Sequence, residues 1–142
     1  MTPQQRHHVQ QSFALVAPIA TQAAAIFYDE LFRRDPSLRR LFRGDMGTQG
    51  ERLMVMIGGA VQLLDQPSRL DATLRALGQR HVGYGVCATH YDTVGAALLA
   101  TLEIGLGERF TPDVRAAWVT LYAHISHTMQ GASQAQAIPV SA

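Results

Sequence analysis

A single cysteine, Cys87, occurs in the 142 residues. No intrachain disulfide can form, and paired-cysteine zinc or redox motifs are excluded. Cys87 itself reads as a small buried or half-buried side chain. Excess charge is also missing, since twelve basic against eleven acidic side chains leave a formal +1. Such a chain exerts no global pull on nucleic acid or an anionic membrane. Its densest basic run, RRDPSLRRLFR over 33–43, is interrupted by Asp35, Pro36, Leu38, Leu41 and Phe42 and reads as a solvated helix-turn face. The N-terminal MTPQQRHHVQQSFALVAP holds no unbroken apolar stretch of signal-peptide type, and no segment is expected to reach transmembrane length. The expectation is a soluble, cytoplasmic protein. Hydrolytic and nucleotide motifs (GxSxG, a Walker loop, HExxH, GxGxxG after a strand) are absent, as are strand-period segments, hairpin signals and internal repeats.

What the chain does have is 47% hydrophobic residues against 16% charged, enough for one sizeable core. The pattern predicts an all-α domain of six or seven helices over 1–132 and a frayed tail at 133–142. Thr2-Pro3-Gln4-Gln5 offers an N-cap, a proline at the first helical position and a capping-box glutamine, with Val9, Phe13 and Val16 on one face. Pro18 marks a break before a second helix over 19–34, and Asp35-Pro36 opens a short piece ending at Phe42. RGDMG reads as a loop closed by the capping box Thr48-Gln49-Gly50-Glu51. The helix it starts turns Leu53, Met56, Ile57, Ala60, Val61 and Leu64 inward. Gly58-Gly59 within it suggests close helix packing. A helix over 69–81 buries Leu70, Leu74 and Leu77 and stops at Gly83 and Gly85. Thr89 to Asp92 caps the next, with Val94, Leu98, Leu102 and Leu106 inward and Gly107 as terminator. Thr111-Pro112 starts the last, through Trp118, Leu121, Tyr122, Ile125 and Met129.

Six histidines are present, none at zinc spacing with cysteine or acidic residues. His124 and His127 share a face without a third ligand. Haem needs less from a protein, because it brings four nitrogen ligands and asks for one axial imidazole and an apolar slot. His81, at the end of an apolar helical face in LGQRHVGYGV, suits that demand. Helices over 49–64 and 69–81 are candidate walls for the slot. The alternative is a capping or core histidine.

Four stretches, IFYDELFRRDPSLRRLF, GTQGERLMVMIGGAV, LGQRHVGYGV and HYDTVGAALLATLEIGLGERFTPDVRAAWVTLY, resemble the globins. They are most similar to bacterial single-domain globins related to the haem domains of flavohaemoglobins. The 32 residues from Gln49 to His81 are similar to the distal-to-proximal spacing of that family. The resemblance covers about residues 5–130 and implies a globin fold around haem b, with His81 as the proximal iron ligand. Phe42 matches the phenylalanine packed on the porphyrin. Tyr28, Gln49 and Leu53 match the distal tyrosine, glutamine and leucine of that subfamily. Leu77, Val86, Val94 and Tyr122 fall at haem-lining positions, and Tyr91 near the proximal imidazole. Arg52, Arg80 and Tyr84 are candidate partners of the haem propionates.

Tyr28 and Gln49 would donate an O–H and an amide N–H to a bound diatomic ligand of negative character, slowing its escape. Against this stand a core tyrosine bonded to a backbone carbonyl and a glutamine turned to solvent. The family's proximal glutamate would fall near Ser133 or Gln134, yet no carboxylate follows Asp113, which argues against peroxidase-like chemistry. The His81 N–H would then bond the Leu77 carbonyl. The resemblance implies tight dioxygen binding used for nitric oxide dioxygenation, with electrons from an external NAD(P)H-dependent reductase. A carrier, store or sensor of oxygen is the alternative, and a haem-free helical interaction module a third.

Overall fold

The computed structural model describes residues 1–42, 44–83 and 86–137, with 82–83 and 132–137 through the backbone alone. Among the described residues no strand occurs. The helices are α1 (Pro3–Val16), α2 (Ala20–Arg34), α3 (Met46–Gln62), α4 (Pro67–Gly83), α5 (Ala88–Leu106) and α6 (Pro112–Ala137). Short 3-10 turns at Ala17–Ile19, Pro36–Leu41, Leu63–Asp65 and Gly107–Arg109 connect them. The all-α expectation is met, and α6 runs on to Ala137, into the segment expected to fray.

Helix α1 begins as its residues dictate. Thr2 Oγ1 accepts the Gln5 N–H at 3.1 Å, and the Gln5 side chain accepts the Thr2 N–H at 3.0 Å. Pro18 lies in a single 3-10 turn between α1 and α2. Contrary to expectation, the helical run Pro3–Arg34 is long and apolar enough to cross a membrane by length and composition. Its Val9, Val16, Ala23, Phe27 and Leu31 are instead buried in the core.

Helix α3 starts at Met46, three residues before Gln49, so Met46 and Gly47 are helical rather than loop. Asp45 supplies the cap in place of the predicted Thr48 box. Its carboxylate accepts the Thr48 N–H at 3.0 Å and the Thr48 hydroxyl at 3.1 Å. A carboxylate outdoes a hydroxyl here because its charge also meets the positive end of the helix. Met56 is exposed, not inward, while Val61 and Leu64 are buried. Helix α4 is longer than predicted at both ends. Helix α5 is capped at Cys87, not at Thr89, with His90 Nδ1 accepting the Cys87 N–H at 3.1 Å. As a cap at a helix start Cys87 is exposed, correcting the buried expectation. Gly107, with φ +57°, ends α5 in a conformation that side chains resist.

The interior divides in two. One cluster joins all six helices around Val9, Ala23, Val61, Leu74, Tyr91, Leu102, Trp118 and Leu121. The other gathers Phe27, Tyr28, Leu31, Leu38 and Ala97. Half-buried Leu98 packs against both.

Candidate functional site

His81 lies in the last turn of α4, half-buried, with Nδ1 2.8 Å from the Leu77 carbonyl, as anticipated for a chain lacking an acid there. A carbonyl only accepts, so Nδ1 carries the proton and the lone pair resides on Nε2. Burial holds the imidazole pKa below the ordinary histidine value; the Leu77 bond acts upward and the neighbouring Arg80 charge downward. The ring is thus neutral and oriented, the form in which histidine coordinates metal. Among the described residues no group of three His, Cys, Asp or Glu could hold an ion. His124 Nε2 has found Asp71 at 2.7 Å, a pair between α6 and α4 that sequence spacing did not disclose.

Tyr28 is buried on α2 in an aromatic setting. Its ring stacks on Phe32 (5.9 Å, 23°) and meets Phe27 (5.2 Å, 77°) and Phe42 (5.3 Å, 73°) edge-on. Burial pushes its pKa up to about 12, further above the physiological range in which any tyrosine already keeps its proton. Its hydroxyl donates at 3.1 Å to the backbone carbonyl of Gln49. Tyr28 and Gln49 are therefore neighbours, joined through the α3 backbone and not through the glutamine amide.

The remaining candidates fall on two sides. Phe42, Leu53 and Val94 pack on the Tyr28 cluster, whereas Leu77 and Val86 pack on the larger cluster that contains Tyr91. All five of these packed apolar side chains are only half-buried. Tyr122 donates to the Tyr91 backbone carbonyl at 2.5 Å, so it ties α6 to α5. Burial, with Tyr91 and Asp92 nearby, raises its pKa. Its ring lies where a Cβ on Gly95 would come within 2.6 Å. Arg52 and Arg80 are exposed, and Tyr84 lies outside the described residues.

Sequence patterns missed Gly50 and Ala24, which bring α3 and α2 together beside Tyr28. A Cβ on Gly50 would sit 2.9 Å from Ala24 Cβ. The only signal was the smallness of both residues.

A flavohemoprotein of Bordetella pertussis is 31% identical over 112 residues, 77% of this chain and 28% of its own length. One from Chromobacterium violaceum is 32% identical over 108 residues, 74% of this chain and 27% of its own length. The chain thus spans little more than a quarter of these relatives. Among solved structures, an engineered carbene transferase built on a candidate nitric oxide dioxygenase from Rhodothermus marinus matches with a TM-score of 0.84. It is 27% identical, and the match covers 97% of each chain. The family profile for globins matches residues 25–129, from the middle of α2 to Met129 of α6, and the chain belongs to the globin family.

Proposed function

We propose that this globin binds haem b through His81, holds dioxygen on the Tyr28 side, and oxidises nitric oxide to nitrate with re-reduction by a separate reductase. Membership of the globin family and the flavohemoprotein relatives imply haem. The residues present fit it. A neutral imidazole oriented by the Leu77 carbonyl would hold the iron through its Nε2 lone pair. Half-buried Phe42, Leu53, Val94, Leu77 and Val86 offer apolar walls from two clusters. With one cysteine the chain cannot make the two-thioether attachment of c-type haem, which supports the non-covalent form.

When bound, haem supplies an iron that takes a diatomic ligand and exchanges one electron. The chain supplies the rest. His81 would hold the iron; Phe42, Leu53, Leu77, Val86 and Val94 would exclude water; the exposed Arg52 and Arg80 would pair with the propionates. Tyr91, held by Tyr122 through its backbone, would pack beside the imidazole. Tyr28, a protonated phenol at physiological pH, is the first donor to a ligand of negative character, and the Gln49 amide the second. Nδ1 of the imidazole has the Leu77 carbonyl as a partner, and no carboxylate follows Asp113 in the sequence. With that partner the imidazole would donate less electron density to a bound iron than one paired with an acid, which would disfavour O–O cleavage.

The observation that carries this reading is the Leu77-oriented neutral His81. Hemin titration should give a strong Soret band that is lost in His81→Ala. Mixing the dioxygen-loaded protein with nitric oxide should yield nitrate, and a cellular reductase should then restore ferrous iron within seconds. Nitrate without re-reduction would instead favour storage, delivery or sensing of oxygen, and a colourless protein would reject haem binding altogether.

A further inference from the structure

Tyr28 has one hydroxyl proton, and that proton goes to the backbone carbonyl of Gln49 at 3.1 Å. The ring has little room to choose otherwise, since Phe27, Phe32 and Phe42 hold it on three sides. A single proton cannot serve the carbonyl and a ligand at full strength together. Which acceptor wins depends on how closely α3 approaches α2.

That approach is set at the adjacent residues. Gly50 follows Gln49, Ala24 precedes Tyr28 by one turn, and both are buried. A Cβ on Gly50 would lie 2.9 Å from Ala24 Cβ, well inside the roughly 3.5–4 Å at which carbons rest in contact. Beside the crossing lies an open groove of about 410 Å³, lined by Ala25, Gly47, Met46 and Met54 among others. The first turn of α3 therefore borders open space on this side, and a shift against α2 would disturb chiefly the half-buried Met46 and Leu53 that pack on the Tyr28 cluster.

We propose that Gly50 is a positioning residue that shares out the Tyr28 proton. By lacking a Cβ it lets α3 close on α2, so the Gln49 carbonyl takes the phenol proton and tempers its donation to a diatomic ligand. The proposal rests on the reading that such a ligand binds on the Tyr28 side. It makes ligand retention adjustable through a helix crossing that touches neither ligand nor haem.

The test compares haem-loaded wild type, Gly50→Ala, Ala24→Gly, the swap Ala24→Gly/Gly50→Ala, and Tyr28→Phe. Gly50→Ala should part the helices, release the phenol and slow dioxygen dissociation by about threefold to tenfold, the worth of one hydrogen bond. Carbon monoxide, a less polar ligand, should change less than twofold, while its infrared stretch moves to lower frequency as the O–H of the fixed phenol rotates towards it. The swap restores clearance and should return both readouts to wild type. Ala24→Gly lets the helices close further and should move dioxygen release the opposite way, which keeps the test decisive if Gly50→Ala folds poorly. An unchanged infrared band and dioxygen-to-carbon monoxide ratio in Gly50→Ala, a swap that does not restore them, or Ala24→Gly without effect would overturn the proposal. Tyr28→Phe separates the two layers. If it fails to speed dioxygen release, the donor reading falls and this proposal with it. If it acts while the helix variants stay silent, only the role of Gly50 falls.

Discussion

At the scale of single residues, Tyr28 and His81 share a logic in which burial shifts the pKa towards the neutral form and a hydrogen bond to a backbone carbonyl sets the direction. For the phenol, burial raises the pKa to about 12, whereas an exposed tyrosine ionises near 10. The unfolded chain loses its proton first, so this group's contribution to stability is complete below pH ~10 and is lost as pH rises towards 12. An alkaline unfolding series should therefore show a steeper stability loss over that window in wild type than in Tyr28→Phe. The same substitution should speed dioxygen release roughly tenfold, about 1.4 kcal/mol, measured by stopped-flow displacement. A rate within twofold of wild type would mean that the hydroxyl serves the Gln49 carbonyl alone. The place of His81 at the end of α4 was legible because an imidazole closing an apolar face ahead of two glycines is a local pattern, whereas its role towards iron came from the resemblance alone. The Tyr28–Gln49 bond was not, since patterns name side chains while the acceptor is a backbone oxygen placed by the meeting of two helices.

Among the helices, punctuation decided what could be read. Thr2, Pro3 and Gln5 announced α1, and Gly107 announced the end of α5. At α3 two caps competed within four residues, and the carboxylate of Asp45 won over Thr48. Bonds from Thr48, backbone first and hydroxyl second, hold the Asp45 pKa below its ordinary value, with a smaller downward contribution from the Gly47 backbone. A depressed carboxylate pKa stabilises above the unfolded value and loses that contribution as pH falls through the folded one. The start of α3, which carries Gln49 and Leu53, should accordingly loosen in acid below the ordinary aspartate range. Amide exchange at Thr48 and Gln49 would report it. Asp45→Ala should show the same loosening at neutral pH, and Asp45→Asn much less. Equal protection in all three proteins would transfer the cap elsewhere. Gly95 raises a different demand on α5. A methyl there would press within 2.6 Å of the Tyr122 ring. Gly95→Ala should thus cost about 1–3 kcal/mol in denaturant unfolding, and a neutral result would show that the ring yields freely.

Across the whole molecule, the two clusters differ in what closes them. The larger one is pinned internally, for Trp118 Nε1 donates to Ser12 Oγ at 2.8 Å and ties α6 to α1 deep in the core. That pin depends on a contact between residues 106 apart, so helical periodicity could predict Trp118 as buried but not its partner. The division into two clusters was equally unreadable, because it depends on how helices cross and not on which face of each is apolar. Towards the site, Leu53, Leu77, Val86 and Val94 remain half-buried, while the Ser12–Trp118 centre is buried without help. A group that binds between those walls stabilises the folded state by mass action and does so where the walls are least covered. Adding hemin should therefore raise the thermal midpoint in a concentration-dependent way. Amide protection should grow most around Leu53, Leu77 and Val94 and least around Ser12 and Trp118, as hydrogen exchange with mass spectrometry would resolve. His81→Ala should abolish the local gain while leaving exchange at the Ser12–Trp118 centre at its wild-type level. Protection that rose evenly throughout the chain would point to a general tightening, and the two half-covered faces would then not be the walls of the haem site.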